Sequence, residues 1–181
     1  MALSVNIMNI QTTGAGPGTS AQLWNSQKRG VSASHALAEE DAGRMERFKD
    51  SINRAAGSTG IDPAVIAAII SRETRAGNFL QSDGWNEGRV AFGIMQVARV
   101  NNPQGGKDSL EHIKQAAGLL RDFINSMNKS WPPELQYKGG IAAYNCGPRA
   151  VTSQNVDEKT EGGDYANDVV ARAQWYKRQG Y

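Results

Sequence analysis

The sequence has 181 residues, of which 39% are hydrophobic and 21% charged, and this composition excludes a disordered chain. Its formal net charge of +2 is too small to favour nucleic acid as a partner. Charges of both signs alternate where they are dense, which we interpret as a solvated helix face: Glu39, Glu40, Asp41, Arg44, Glu46 and Arg47.

The rare residue types exclude further classes of protein. The single Cys146 cannot form an intramolecular disulfide, and His35 and His112 join no cluster with metal-ligand spacing, so we expect no metal and no cofactor. The longest apolar run, residues 64–70, is far shorter than the roughly 20 residues of a transmembrane helix. The first residues also lack the pattern of a signal peptide. We therefore expect no membrane insertion, and a chain that is cytoplasmic or released by a non-classical route.

The first third of the chain divides into an arm and a helix. Residues 1–30 are rich in Gly, Thr, Ser and Asn, which predicts a loop-like amino-terminal arm lying on a single domain of residues 31–181. Residues 34–56 have apolar side chains at helical spacing and predict one surface helix that ends at residues 57–60. Its apolar positions are Leu37, Met45, Phe48 and Ile52.

A second helix begins at Asp62-Pro63, because Asp is a preferred N-cap and Pro is tolerated in the first helical position. Ile66, Ile69 and Ile70 form its apolar stripe, and Glu73 continues the same face. A Glu at the end of such a stripe is more often an edge residue whose carboxylate reaches water. In a poorly solvated pocket, however, its pKa would rise and the carboxyl could serve as a general acid.

The remaining elements predict a mainly α fold (α+β). Residues 84–97 are punctuated by glycine and alternate locally, which predicts a small antiparallel sheet. Leu110 to Met127 repeats apolar residues every three and four positions, which predicts a central helix capped by Asp108 or Ser109. A helix from Pro133 to Tyr144 contains Gly139-Gly140, for which close backbone packing is a reason. The last helix is predicted to have Asp164 as its N-cap and an inner face of Val169, Val170, Ala173 and Tyr176.

A second carboxylate would complete a glycosidase-like pair with Glu73. Asp83 and Glu87 both lie on a polar, glycine-flanked loop beyond the Glu73 helix, and either could hold a water molecule. An inverting glycosidase places its carboxyl groups roughly 6.5 to 9.5 Å apart, and a retaining one roughly 5 to 5.5 Å. The residues alone leave both candidates and both stereochemical outcomes open.

Four segments, in order and at matching spacing, resemble the signature segments of goose-type lysozymes. They are residues 71–73 (Ser-Arg-Glu), 93–97 (Gly-Ile-Met-Gln-Val), 138–145 (Lys-Gly-Gly-Ile-Ala-Ala-Tyr-Asn) and 164–170 (Asp-Tyr-Ala-Asn-Asp-Val-Val). The likeness extends from about Asn6 to Tyr181 and so covers nearly the whole chain.

The resemblance implies a lysozyme-like helical domain with a small sheet beside a sugar-binding cleft. It implies a monomeric, antibacterial muramidase that hydrolyses the β-1,4 bond between N-acetylmuramic acid and N-acetylglucosamine of peptidoglycan with inversion, outside bacteria or in phagosomes. Glu73 matches the family's general acid. Five residues match positions that line the cleft: Gln96, Phe123, Tyr144, Asn145 and Tyr165. Bacterial protein inhibitors of lysozyme are a further class of partner that the resemblance implies.

Three departures from the family pattern bear on the mechanism. Trp85-Asn86-Glu87 stands where relatives commonly have Trp-Gly-Asp, which makes Glu87 the expected water-holding carboxylate, with Asp83 as the alternative. Ala98 replaces an acid that often follows Met-Gln-Val, and Cys146 replaces a small residue. Two other functions compete with hydrolysis: cleavage to anhydro-muramyl products, as in lytic transglycosylases, and a non-catalytic peptidoglycan-binding module.

Overall fold

A computed structural model of the protein describes residues 4–181. Within that range it contains seven α-helices and one two-stranded antiparallel sheet, which confirms the predicted mainly α fold with a small sheet. The helices are α1 (Pro17–Ser20), α2 (Gly30–Met45), α3 (Lys49–Thr59), α4 (Pro63–Thr74), α5 (Leu110–Ser126), α6 (Pro133–Cys146) and α7 (Tyr165–Arg178), and the strands are β1 (Ala91–Phe92) and β2 (Val97–Ala98).

The prediction of one continuous helix over residues 34–56 is wrong. A 3-10 turn, Glu46–Phe48, separates α2 from α3, so that α2 packs on α7 whereas α3 packs on α5. Met45 and Phe48, on either side of this turn, both enter the core. Because of this interruption, the apolar residues of α2 and those of α3 pack against different helices. Gly60 ends α3 in a left-handed conformation at φ 78°.

The interpretation of the acidic and basic run as a solvated face is also wrong at one position. Asp41 is fully buried and accepts hydrogen bonds from Arg75 at 2.9 Å and from the Ser71 hydroxyl at 2.6 Å. Arg44 reaches the same carboxylate at 2.6 Å. A buried carboxylate needs such partners, because burial without them costs several kcal/mol.

The helix that carries Glu73 is the most enclosed in the described chain. Asp62 caps α4 by accepting a 2.9 Å hydrogen bond from the Ala64 amide, as predicted. Every residue from Ala64 to Ser71 is buried, so this part of α4 is enclosed on all sides rather than along one stripe. This arrangement makes α4, and not the predicted α5, the helix at the centre of the core.

Helices α5 and α6 approach each other closely, as the two adjacent glycines predicted. A Cβ atom on Gly140 would lie 2.3 Å from Cγ1 and 2.6 Å from Cα of Ile124. Ser109 caps α5 by accepting from the His112 amide at 3.1 Å, and the predicted seam along α5 is buried except at half-buried Leu110. The short sheet lies before α5 and pairs Ala91 with Ala98 and Phe92 with Val97.

The last helix and the amino-terminal segment hold each other in place. Asp164 is the N-cap of α7 by position, but its side chain does not cap the helix; Asp157 instead accepts from the Ala166 amide at 2.7 Å. Gln174 on α7 donates to the carbonyls of Ile7 and Ile10 at 3.1 and 2.9 Å. The segment around Ile7 and Ile10 thus contacts α7. The predicted arm includes residues 1–3, which lie outside the described residues, and its boundary at residue 30 stays a prediction.

Candidate active site

Glu73 lies in the last turn of α4, where the helix leaves the core. Arg75 and Ala76 follow in left-handed conformations, at φ 50° and 54°, and end the helix one residue after Glu73. Glu73 is half-buried, and its Oε1 accepts a 2.6 Å hydrogen bond from the Tyr165 hydroxyl at the start of α7. The structure therefore pairs two of the residues that the sequence singled out.

Burial dominates the ionisation of this carboxyl. Burial, supplemented by the nearby charge of Glu161, raises the pKa of Glu73 to about 7, although the Tyr165 hydrogen bond and the positive charge of Arg72 both oppose the rise. The carboxyl is therefore protonated over part of the neutral range. Of the two fates considered for Glu73, these surroundings match the poorly solvated pocket.

Tyr144, on α6, is the second phenol near the acid. Its hydroxyl donates to the Met95 carbonyl at 2.7 Å, which ties α6 to the turn between the two strands. Burial and the charge of Glu73 raise the pKa of Tyr144, so its hydroxyl stays protonated. The Met95 amide in turn donates to Nε2 of His112 at 3.0 Å, so the turn is anchored on both sides.

A cleft of about 540 Å³ opens between the β1–β2 hairpin and the end of α6. Four of the five predicted sugar-binding residues line it: Gln96, Phe123, Tyr144 and Asn145. The fifth, Tyr165, is 1% exposed and contacts Glu73 instead. Ala98, where relatives often carry an acid, also lines the cleft.

The two amide side chains of the cleft are already oriented by the protein. Gln96, in a left-handed conformation at φ 50°, donates from Nε2 to the Gly93 carbonyl at 2.8 Å. Asn145 accepts a 2.8 Å hydrogen bond from the Glu161 amide through Oδ1. Phe123 packs edge-on against Tyr144, with ring centroids 6.5 Å apart. Each amide therefore keeps one polar atom for a ligand, on a wall that also offers aromatic rings.

The two candidates for the second carboxylate differ in their surroundings. Asp83 caps the Trp85 amide at 3.0 Å and pairs with Arg89 at 2.8 Å, and these contacts lower the pKa of Asp83. Glu87 lies exposed in the turn that begins at Asn86, with no side-chain hydrogen bond or ion pair within residues 4–181. Neither carboxylate contacts Glu73. Glu87 is the one whose oxygens stay available for water.

An ionic network that no local sequence pattern indicated lies behind Glu73. Arg72, next to the acid, pairs with Asp168 at 2.8 Å and Asp164 at 3.2 Å, and its guanidinium lies 5.1 Å from the centre of the Tyr165 ring. Asp168 also pairs with buried Arg172 at 2.9 Å. Arg72, Asp164 and Asp168 all fall within the signature segments, which were the available signal. The sequence could not predict that these residues pair, because α4 and α7 are far apart in the chain.

Comparison with known proteins places this arrangement in a family. A family model described as Lysozyme g matches residues 5–180. The chain belongs to the lysozyme g family. Among its relatives, Lysozyme g of Epinephelus coioides is 52% identical over 96% of both chains, and that of Cyprinus carpio is 47% identical over 96% of both. Lysozyme g of Struthio camelus is 42% identical over 97% of this chain and 88% of its own.

Membership confirms the resemblance drawn from the four segments and makes the chain a glycoside hydrolase of the lysozyme g type. The family match covers α4, the sheet, the cleft and α7. Among the helices of residues 4–181, none has the length and apolar character needed to cross a membrane. Over the same range, no three His, Cys, Asp or Glu side chains form a group that could hold a metal ion.

Proposed function

We propose that the chain hydrolyses the β-1,4 bond between N-acetylmuramic acid and N-acetylglucosamine in peptidoglycan, with inversion and with Glu73 as the general acid. The observation that carries this proposal is the Glu73 carboxyl itself: its pKa is about 7, Tyr165 orients it, and Tyr144 of the cleft wall lies close enough to feel its charge. Peptidoglycan is the substrate implied by the family.

In the proposed reaction, Glu73 donates its proton to the glycosidic oxygen as the bond to the muramyl anomeric carbon breaks. A general acid is most effective when its pKa lies near the working pH. A useful fraction of it is then protonated, and it still gives up its proton readily. Tyr165 fixes which oxygen of Glu73 is occupied, which leaves Oε2 to face the substrate. Water adds to the anomeric carbon from the opposite face of the ring.

Glu87 is proposed to orient that water and to accept its proton. Its carboxylate has no hydrogen-bond or ion-pair partner among residues 4–181, whereas Asp83 is engaged by Arg89 and the Trp85 amide. Ala98 leaves the cleft wall without the acid that relatives often have there. We therefore expect a single carboxylate to position the water, which holds it less firmly than two would.

The cleft supplies the groups that sugars need. Gln96 and Asn145 offer amides for the N-acetyl groups and hydroxyls, while Tyr144 and Phe123 offer rings for the sugar faces. Lysis of bacterial walls would make the chain an antibacterial enzyme that acts outside bacteria or in phagosomes. Bacterial inhibitors of lysozyme would then be partners, with this cleft as their target.

Replacing Glu73 by Gln tests the proposal. The side chain keeps its shape and loses the proton, so lysis of purified peptidoglycan should fall by about 10² to 10⁴-fold while thermal unfolding changes little. The matched control is Glu39→Gln, at an exposed position of α2, which should lyse like the parent. Lysis by Glu73→Gln at the rate of the parent would remove Glu73 from the mechanism.

The product distinguishes hydrolysis from the competing reaction. Hydrolysis with inversion gives a reducing N-acetylmuramic acid end whose first anomer is α, and proton NMR of a fresh digest reports it. A lytic transglycosylase would instead give 1,6-anhydro-muramyl ends, detectable by mass as products one water lighter. A digest made mainly of anhydro ends would replace the proposal with that activity.

A further inference from the structure

Among the described residues that line the cleft, Arg149 alone belongs to the charged residue types. It lies on the 3-10 helix Pro148–Ala150 directly after α6 and is exposed. Within the described residues no carboxylate lies within 4.0 Å of its guanidinium, and it makes no side-chain hydrogen bond. A cation without a partner therefore faces the same space as Gln96, Tyr144 and Asn145.

The backbone under Arg149 is held firmly in this position. Gly147, at φ 84°, leaves α6 in a conformation that favours glycine, and its amide donates to the Ala143 carbonyl at 2.8 Å. Pro148 then fixes the first turn of the 3-10 helix, which the Ala150 amide closes on the Gly147 carbonyl at 3.2 Å. The guanidinium is thus carried on a rigid edge of the cleft rather than on a free loop.

The rest of the lining matches a neutral sugar, which offers no negatively charged group for Arg149 to bind. Amides, phenols and apolar side chains bind N-acetyl groups, hydroxyls and ring faces, none of which requires a full positive charge. A guanidinium is best matched by a carboxylate, to which it can donate two parallel hydrogen bonds. Chains of N-acetylglucosamine carry no carboxylate. Peptidoglycan carries them on the lactyl group of peptide-free muramic acid and on the peptide stem.

We propose that Arg149 is a specificity-determining residue of this cleft, which binds a carboxylate carried by the muramyl residue or by its peptide stem. The inference rests on the proposed function, since it assumes that the cleft holds the glycan. It adds a selection rule: the site distinguishes bacterial wall glycan from neutral N-acetylglucosamine chains by charge as well as by shape.

The test measures binding of three glycans of equal length in full-length protein carrying Glu73→Gln, so that none is cleaved. The first is an N-acetylglucosamine oligomer, the second is peptide-free alternating glycan with free lactyl carboxylates, and the third carries peptide stems. Arg149→Gln is compared with Arg149→Lys, which retains the charge. Arg54→Gln, at an exposed position of α3, is the control for net charge.

Arg149→Gln should weaken binding of a carboxylate-bearing glycan roughly tenfold, the loss expected for one charge-assisted hydrogen bond, and leave the neutral oligomer unaffected. Arg149→Lys should restore part of that loss. A loss with the peptide-free glycan identifies the lactyl carboxylate, and a loss only with the third glycan identifies the stem. Equal losses for all three glycans, no loss for any, or the same loss in Arg54→Gln would overturn the proposal.

Failure of the proposed function gives a different result. If parent protein carrying Glu73→Gln still cleaves the peptide-bearing glycan, the assignment of the acid fails, and the binding comparison can be repeated with short incubation at low temperature. If Glu73→Gln is inactive and Arg149→Gln binds all glycans like the parent, the assignment of Glu73 as the acid is retained. Only the assignment of Arg149 as a carboxylate-binding residue is then rejected.

Discussion

The Tyr165 hydroxyl lies 2.6 Å from Oε1 of Glu73, although 92 positions separate the two residues in the chain. A phenol that donates to a carboxylate stabilises its charged form, whereas burial stabilises its neutral form. Burial has the larger effect, so the pKa of Glu73 is about 7 rather than near its ordinary value. Tyr165 therefore limits the rise of this pKa and at the same time fixes the orientation of the acid.

Tyr165→Phe should shift the pH dependence of lysis. Activity that depends on protonated Glu73 declines as pH rises through about 7, the pKa of this carboxyl. Removing the hydrogen bond takes away an effect that lowers this pKa, so the alkaline decline should move to higher pH. The maximal rate should fall, because the carboxyl loses its orientation. Rates of lysis between pH 5 and pH 9, roughly centred on that pKa, measure both effects.

Tyr176→Phe is the matched control for this experiment. It removes another buried phenol of α7, whose hydroxyl donates to the Ala38 carbonyl at 3.1 Å and does not contact Glu73. Its alkaline decline should coincide with that of the parent. If the two variants shift together, or if Tyr165→Phe shifts the decline to lower pH, the role given to Tyr165 is incorrect.

The sequence singled out candidate residues within single segments. The apolar stripe on α4 drew attention to Glu73, and the signature segments drew attention to Gln96, Tyr144 and Asn145, which the structure places along one cleft. These residues share one cleft because α6 packs against the turn between β1 and β2, a tertiary contact. Sequence could not supply the role of Tyr165, because its partner is on another helix.

Charged residues were the least predictable. Asp41 has the sequence context of a solvated helix position, yet it is buried because Arg75 and Ser71 of the α4 region converge on it. Such pairing depends on tertiary contacts that no local pattern encodes. The break between α2 and α3 has the same origin, since it follows from two packing partners rather than from a glycine or proline at the turn.

Asp168→Asn should destabilise the fold strongly. Burial alone would raise the pKa of Asp168, but the guanidiniums of Arg172 and Arg72 outweigh it and hold this pKa below its usual value. The substitution removes the carboxylate that the two arginines share, and breaking a buried ion pair by removing one partner typically costs about 3–5 kcal/mol. The free energy of unfolding from urea titrations measures the loss.

The exposed pair between Asp50 and Arg54 provides the comparison, since its atoms are 3.8 Å apart and Asp50 is 86% exposed. Asp50→Asn should change stability by less than about 1 kcal/mol. A lowered carboxyl pKa in the folded state also means that the contribution of Asp168 is complete at neutral pH and is lost as pH falls below about 4, through the folded pKa. An Asp168→Asn variant as stable as the parent at neutral pH would contradict this account.

Gly140→Ala should separate α5 from α6. Its Cβ would lie 2.3 Å from Cγ1 of Ile124 and 2.7 Å from the backbone nitrogen of that residue, so the helices themselves must move. Overpacking of this kind costs about 1–3 kcal/mol or more. Because α6 carries Tyr144 and Asn145, lysis should fall as well. The melting midpoint and the lysis rate test the two effects.

Gly118→Ala is the control within α5 itself. Its Cβ would have only Arg121 nearby, at 4.0 Å, so the substitution should stabilise the helix by about 0.5–1 kcal/mol through the unfolded chain. An unchanged melting midpoint in Gly140→Ala would show that the close approach of α5 and α6 is not required for stability.

Glu87→Gln should reduce hydrolysis severely if this carboxylate alone orients the water. Asp83→Asn is the paired variant: it removes the carboxylate that Arg89 and the Trp85 amide already engage, and should have the smaller effect on the rate of product formation. The opposite ranking, with Asp83→Asn the more damaging, would transfer the role to Asp83. If the muramyl 6-hydroxyl can replace water, Glu87→Gln should also raise the share of anhydro-muramyl ends.

Ala98→Asp tests the same point by addition. Ala98 lines the cleft on β2 and is half-buried, so an aspartate there can reach the cleft without displacing the core. A second carboxylate should hold the attacking water more firmly and raise the rate of hydrolysis, and it should restore part of the activity lost in Glu87→Gln. Ala98→Asn, which has the same size without the charge, should do neither. Equal rates for Ala98→Asp and Ala98→Asn would mean that water is not positioned by charge at this wall of the cleft.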